Sequence, residues 1–125
     1  MGLDKLTTKF QEALQAAQQL ASKSANAELK SIHVLLALLQ QDGGIVVPIL
    51  EKAGVNVTSL KAAALGALEK EPRIQGAASQ PQMSYGLRAN LDAADEIRTE
   101  LGDDYLSVEH FLLGALKSDS PAGKL

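Results

Sequence analysis

The strongest constraint on this chain is an internal repeat. Residues 10–39 align without a gap on residues 87–116 when they are moved forward by 77 positions (87 minus 10). The identical pairs are mostly apolar and recur at helical spacing: Leu14/Leu91, Ala16/Ala93, Ala17/Ala94, Leu29/Leu106, His33/His110, Leu35/Leu112, Leu36/Leu113 and Leu39/Leu116. A duplicated helical unit with one apolar face buries that face most easily against its twin. The sequence therefore predicts a pseudo-twofold domain.

Composition narrows the fold class further. A chain of 125 residues is long enough to bury about two thirds of its unfolded surface in one core, so a second domain is not required. Hydrophobic residues make up 46% of the chain but aromatic residues only 3%, so the core is expected to consist of Leu, Ala, Ile and Val. These residues, at helical spacing, predict an all-α protein.

Apolar residues at three- and four-residue steps place the individual helices. The pattern predicts helices from Thr7 to about Ala21, over Ser31–Leu39, over Val46–Ala53, from Ser59 to about Glu69, over Ser84–Leu101 and from Val108 to about Leu116. Thr8 and Gln11 have the spacing of a capping box at the first of these. Ser118–Pro121 is typical of the start of one more helix.

The boundaries of the two repeats follow from these helices. We expect repeat one at about 1–69, a connecting loop at about 70–82 and repeat two at about 83–125. Two helices follow Leu39 in the first repeat, whereas almost nothing follows Leu116 in the second. An uncovered apolar surface is costly, so the second repeat is expected to be incomplete and the native polypeptide to continue.

Charge and missing motifs argue against several functions. The net charge is −3 and no basic cluster is present, which argues against nucleic acid as a partner. There is no Cys, no apolar run long enough for a signal peptide or a membrane span, and no phosphate loop. We expect a cytoplasmic protein without nucleotide binding, catalytic site, metal or cofactor within these residues.

A few polar residues stand out, and each has a structural reading beside a functional one. His33 and His110 occupy the same repeat position at a helix start, where a structural hydrogen bond is favoured over a metal or acid–base role. Asp103 and Glu109 suit a turn and a first helical turn. Leu91 is a core residue by default, although a groove between the repeats would be lined by such residues.

The chain resembles the amino-terminal Clp repeat domain. The likeness lies in Leu6-Thr-Thr-Lys-Phe-Gln-Glu-Ala-Leu-Gln-Ala-Ala17, in His33-Val-Leu-Leu-Ala-Leu-Leu39, in Gly43-Gly44 and in Ile49-Leu-Glu-Lys-Ala-Gly54. Gly102-Asp103 followed by Ser107-Val-Glu109 completes it in the second repeat. Within the family the chain is most similar to the ClpB type of disaggregase chaperone, because of its Leu-Thr-x-Lys-Phe start and its Gly-Gly-x-x-x-Pro segment.

The resemblance implies a fold and a role. The fold is two tandem four-helix Clp repeats, the second truncated here, joined flexibly to a hexameric AAA+ motor that needs ATP and magnesium. The nucleotide sites lie outside these residues, so this part of the protein is expected to be inactive as an ATPase and monomeric by itself. The implied role is to engage unfolded or aggregated polypeptide weakly through an apolar groove and to hand it to the motor.

The family's substrate-binding positions can be carried over one by one. Thr7, Asp103 and Glu109 match the polar set, while Leu91, Ala93 and His110 match positions that are apolar around the groove in some relatives. Ala93 and His110 offer less apolar area than Leu does, which predicts weaker apolar binding. The alternative reading is an adaptor-docking domain of a ClpA- or ClpC-type regulator of proteolysis.

Overall fold

The computed structural model describes residues 5–41, 43–73 and 81–117. Six helices and two very short strands occur within these residues: α1 Thr8–Lys23, β1 Glu28–Leu29, α2 Ser31–Gln40, α3 Val46–Lys52, α4 Val57–Glu69, β2 Gln82–Met83, α5 Tyr85–Leu101 and α6 Val108–Lys117. All six predicted helices are confirmed, and so is the all-α class. The start of a further helix at Ser118–Pro121 lies outside the described residues.

The helix ends follow ordinary capping chemistry. Asn56 caps α4 by accepting a hydrogen bond from the amide of Ser59 at 3.1 Å. Gly54, after α3, has a φ of 84°, as expected for a glycine that closes a helix in the left-handed region. The prediction of a capping box at Thr8 and Gln11 is wrong. Thr7 is the N-cap of α1, and the side-chain amide of Gln11 donates a hydrogen bond to the carbonyl of Leu6.

The two repeats are linked by extended segments that the helical pattern did not predict. Strands β1 and β2 pair in parallel, with Glu28 opposite Gln82 and Leu29 opposite Met83. A parallel bridge between Leu6 and Leu106 is the same contact with the repeats exchanged, because 6 plus 77 is 83 and 29 plus 77 is 106. Each repeat thus pairs a short extended segment in parallel with a segment of the other repeat.

The core lies between the repeats and contains residues from both. Phe10 of α1 and Phe111 of α6 are fully buried, with ring centroids 5.5 Å apart and planes at 45°. Helix α2 is buried along nearly its whole length, as its apolar residues on almost every side predicted. It packs against α1, α4 and α3, whereas α6 packs chiefly against α5.

Candidate functional site

The turn between α5 and α6 holds the acidic residues of the predicted site. Gly102 ends α5 with a φ of 74°, in the left-handed region where glycine carries no steric cost. The amide of Asp103 donates to the carbonyl of Arg98 at 3.0 Å, and Nη1 of Arg98 donates to the carbonyl of Asp103 at 2.8 Å. These two bonds fix the backbone from which the Asp103 carboxylate projects.

His110 is hydrogen-bonded to residues on both sides of this turn. Its Nδ1 accepts a hydrogen bond from the amide of Ser107 at 2.9 Å, which places the ring proton on Nε2 in the neutral form. Nε2 lies 2.8 Å from Oδ2 of Asp103 and donates to it. The ring is buried, while about half of the Asp103 side chain (51%) is exposed. His110 therefore holds the turn together and offers little surface of its own.

Thr7 lies beside this turn because of the pairing between the repeats. Its amide donates to the carbonyl of Leu106 at 3.0 Å, and the amide of Leu106 donates to the carbonyl of Lys5 at 2.7 Å. The Thr7 hydroxyl accepts from the amide of Phe10 at 3.3 Å, so it caps α1. The side chain is half-buried. Thr7 thus reaches the acidic turn through Leu106.

Helix α6 presents an exposed stripe next to the turn. Glu109 in its first turn is exposed, and Leu113 follows one helical turn later on the same face. Leu113 is 47% exposed, although its repeat counterpart Leu36 is fully buried. Tyr105 in the turn is 56% exposed. We call Thr7, Asp103, Tyr105, Glu109 and Leu113 the α6 surface.

The structure separates the predicted site residues into two groups. Thr7, Asp103, Glu109 and His110 come together around the turn. Leu91 is only 7% exposed and belongs to the hydrophobic core, and Ala93 on the same helix is half-buried. Leu91 therefore offers little area to a ligand.

The sequence did not indicate that Tyr105 and Leu113 are exposed apolar residues. The repeat gave no indication that Leu113 is exposed, because Leu113 and its counterpart Leu36 share the helical spacing of core residues.

Repeat one carries the same arrangement with different charges. Nδ1 of His33 accepts from the amide of Lys30 at 2.9 Å, and Nε2 lies 2.9 Å from Oδ1 of Asn26. Burial lowers the pKa of His33 below its usual 6.5, against a smaller opposing effect of the Glu71 carboxylate. An amide thus stands where repeat two has a carboxylate, and the structural reading of both histidines agrees with these contacts.

The described residues were compared with the requirements of a metal site and of a membrane span. Over 5–41, 43–73 and 81–117, no three His, Asp or Glu side chains are grouped so that they could hold a metal ion. Within the same ranges, none of the helices combines the length and the apolar character that crossing a membrane requires.

Comparison with known proteins agrees with the fold and the repeat. Residues 5–125 match the family model described as the Clp repeat (R) N-terminal domain. The chain therefore belongs to the family of Clp repeat N-terminal domains.

Among curated relatives, the chain is similar to the chaperone protein ClpB of Mycobacterium leprae. The two are 42% identical over 119 residues, which is 95% of this chain but only 14% of that relative. The chain thus spans about a seventh of the relative's length. The likeness is to the amino-terminal region of ClpB chaperones.

Two solved structures have the same fold. The N-terminal domain of the ClpV1 ATPase from E. coli has a TM-score of 0.84 and 27% identity, and the likeness covers 92% of this chain and 69% of that one. A complex of the ClpV N-domain with a VipB peptide has a TM-score of 0.78 and 27% identity, covering 91% and 69%. In that relative, an N-domain of this fold binds a peptide.

Proposed function

We propose that this domain engages unfolded or aggregated polypeptide for an AAA+ disaggregase of the ClpB type. The binding is weak, and the bound segment passes to the motor, which lies outside this chain together with its ATP and magnesium sites. The partners are unfolded proteins and the motor domains of the same polypeptide, which forms a hexamer in the cytoplasm. The domain itself carries out no chemistry.

The exposed α6 surface is the observation that carries this proposal. Within residues 5–41, 43–73 and 81–117, Tyr105 and Leu113 leave apolar area open to solvent beside the carboxylates of Asp103 and Glu109. Exposed apolar residues ringed by polar ones are typical of protein interaction sites. A small surface of this kind can bind many different extended segments without selecting a particular sequence. Low affinity suits a domain that must release its client. The peptide complex of the ClpV N-domain supports the same use.

Within this proposal the predicted site residues have unequal roles. Thr7, Asp103 and Glu109 contribute polar contacts, while His110 acts by holding Asp103 in place. Leu91 and Ala93 support the surface from beneath, since α5 packs on α6 and Leu91 belongs to the core. Leu113 and Tyr105 provide the apolar contact area that was expected from Leu91.

A polar substitution on α6 tests the proposal. Leu113→Ser should weaken binding of reduced lysozyme, whose cysteines are blocked with neutral carbamidomethyl groups, by about fivefold, because it removes exposed apolar area without changing the charge. Leu65→Ser on α4 is the matched control, since Leu65 is 40% exposed in repeat one. Circular dichroism checks that both variants keep the wild-type helicity. Equal binding by wild type and both variants would contradict the proposal, and binding only to a folded adaptor would favour the docking alternative.

A further inference from the structure

A cavity lies between the amino-terminal ends of α2 and α5. Its volume is about 260 Å³, and it is lined by the first turns of both helices, by Glu28 of β1 and by Glu71. None of its lining residues belongs to the α6 surface. We call it the α2–α5 cavity.

Hydrogen-bond donors converge on this cavity. The start of a helix carries a partial positive charge, and here the starts of two helices meet. Within the described residues, four amides of these first turns have no hydrogen-bond partner: Ser31, Ile32, Tyr85 and Gly86. The buried hydroxyl of Ser31 accepts from Nδ2 of Asn90 at 3.1 Å, so it keeps its own proton to donate. The cavity therefore suits a negatively charged acceptor.

A carboxylate of the chain itself already occupies one wall of the α2–α5 cavity. Oε2 of Glu71 forms an ion pair with Nζ of Lys30 at 2.8 Å, and the Glu71 side chain is only 19% exposed. The structure thus shows an acidic side chain held where the donors converge, with a cation to balance its charge.

The segment that carries Glu71 has a small set of contacts with the turn before α2. Asn26 and Arg73 form an antiparallel bridge, and Nδ2 of Asn26 donates to the carbonyl of Pro72 at 3.0 Å. Pro72 and Arg73 are themselves exposed. A segment with little buried surface opens locally at low cost in free energy. We call residues 71–73 the strap.

We infer that the α2–α5 cavity is a second binding site for client polypeptide, which takes an extended segment with one acidic residue in place of the strap. This inference rests on the proposed function and adds a site and a client chemistry to it. The client's carboxylate pairs with Lys30 as that of Glu71 does, and the next carbonyl accepts from Asn26 as that of Pro72 does. The strap is therefore an internal competitor of the client.

Two neighbouring charges define the preferred segment further. Glu28 also lines the cavity, so its carboxylate repels a run of several acidic residues. In repeat two, Ser107 replaces Lys30 and Glu109 replaces Ile32, which removes the cation and adds a carboxylate. An acidic segment is thus expected to bind repeat one and to avoid the α6 surface.

Two fluorescent, unstructured dodecapeptides test the inference on the 125-residue protein. They differ at one central position, which is Glu in one and Gln in the other, and Pro-Arg follows it in both. Glu71→Gln should bind the Glu peptide about two- to fivefold more tightly than wild type does, because the strap loses its ion pair. The amide signals of residues 31–32 and 85–86 should shift during an NMR titration of this variant.

Glu69→Gln is the matched control for the strap. Glu69 is exposed at the end of α4, so the variant loses the same charge two residues away and should bind the Glu peptide as wild type does. Equal gains in Glu69→Gln and Glu71→Gln would show a general effect of net charge and overturn the inference.

Lys30→Gln tests the cation of the site. It should bind the Glu and Gln peptides equally, whereas Glu71→Gln should prefer the Glu peptide, and this preference should fade with added salt. Lys52→Gln, made in the Glu71→Gln background, is the matched control and should keep the preference, since Lys52 is exposed on α3. Loss of the preference in both lysine variants would contradict a specific role of Lys30.

The two proposals fail in different ways. If reduced lysozyme binds wild type but neither peptide shifts the signals of residues 31–32 and 85–86 in Glu71→Gln, only the inference falls. If the Glu peptide shifts the signals of residues 105–113 instead, it binds the α6 surface, and again only the inference falls. If neither reduced lysozyme nor either peptide binds, both proposals fall.

Discussion

The two repeats build the same turn and use it differently. In repeat one, Asn26 satisfies His33 with its oxygen and Pro72 with its amide, so the turn is closed by the chain itself. In repeat two, Asp103 satisfies His110 and keeps about half of its side chain in solvent. The two turns thus share their histidine contact but differ in the side chain that makes it, Asn26 or Asp103, and in the exposure of that side chain.

A second difference concerns the helix that follows each turn. Leu36 on α2 is fully buried, whereas Leu113 at the same position on α6 is 47% exposed. Helix α2 lies among α1, α3 and α4, and α6 packs chiefly on α5. Within the described residues, the same sequence pattern thus gives a buried leucine on α2 and an exposed leucine on α6, because the packing of neighbouring helices decides burial.

The aromatic contact between the repeats should contribute more to stability than the other contacts tested below. Phe111→Ala should lower the free energy of unfolding by about 3–5 kcal/mol, because it leaves a cavity against Phe10, 5.5 Å away between ring centroids. Val34 is the repeat counterpart of Phe111 and is also fully buried. Val34→Ala removes two methyl groups and should cost only about 2 kcal/mol. Urea denaturation of both variants measures the difference, and equal costs would contradict an aromatic centre at the interface.

Asn26 and Asp103 can each be replaced by the residue that the other repeat has at the same position. Asn26→Asp should cost about 2–3 kcal/mol, because it replaces a buried donor to the Pro72 carbonyl with an acceptor. Asp103→Asn should change stability by less than about 0.5 kcal/mol, since the carboxylate is half exposed. Thermal unfolding of the two variants side by side checks this asymmetry. A cost for Asp103→Asn as large as that for Asn26→Asp would show that both turns are closed.

The crossing of the helices differs between the repeats as well. A Cβ on Gly114 would lie 2.8 Å from the carbonyl oxygen of Asn90 and 2.8 Å from the amide of Ala94, so α6 approaches the α5 backbone closely. Gly114→Ala should therefore destabilise the protein by about 1–3 kcal/mol, despite the better helix propensity of Ala. The counterpart on α2, Ala37, already carries a Cβ and is buried.

Ala37→Gly provides the matched control for this crossing. It should cost about 1–2 kcal/mol, because it loses helix propensity and a buried methyl group. Chemical denaturation of both variants measures the two costs. Stabilisation by Gly114→Ala would show that the helices can separate without penalty.

The sequence predicted much of this fold because the repeat and the helical spacing are local patterns. The six helices, the buried α2 and the left-handed Gly54 all follow from neighbouring residues. The pairing of β1 with β2 was missed because each strand has two residues, too few for an alternating pattern. The repeat boundaries remain a prediction.

The site was harder to predict than the fold. Thr7 is brought to the turn between α5 and α6 by a backbone hydrogen bond to Leu106, which no sequence spacing reveals. Leu91 has the helical spacing of both a core residue and a groove residue, and only the packing of α5 shows that it is buried. The roles of all six predicted residues in binding await the experiments above.

The smallest effect that we expect is a pH dependence carried by His33, since it concerns one proton and removes no contact. Burial lowers the pKa of His33 in the folded state below 6.5, so the unfolded chain binds the proton more readily. The resulting stability is fully present above pH 6.5 and is lost progressively as the pH falls towards the folded-state pKa. Urea denaturation between pH 7.5 and 5.5 should show this decline in wild type.

His33→Gln isolates this contribution. Glutamine does not titrate, so the decline attributable to His33 should be absent in the variant, although glutamine lowers stability at every pH. His110→Gln is the matched control: it removes a histidine that lies against the half-exposed Asp103 rather than Asn26, so the His33 decline should persist. If His33→Gln and wild type decline in parallel below pH 6.5, the buried histidine of repeat one is not the source of the pH dependence.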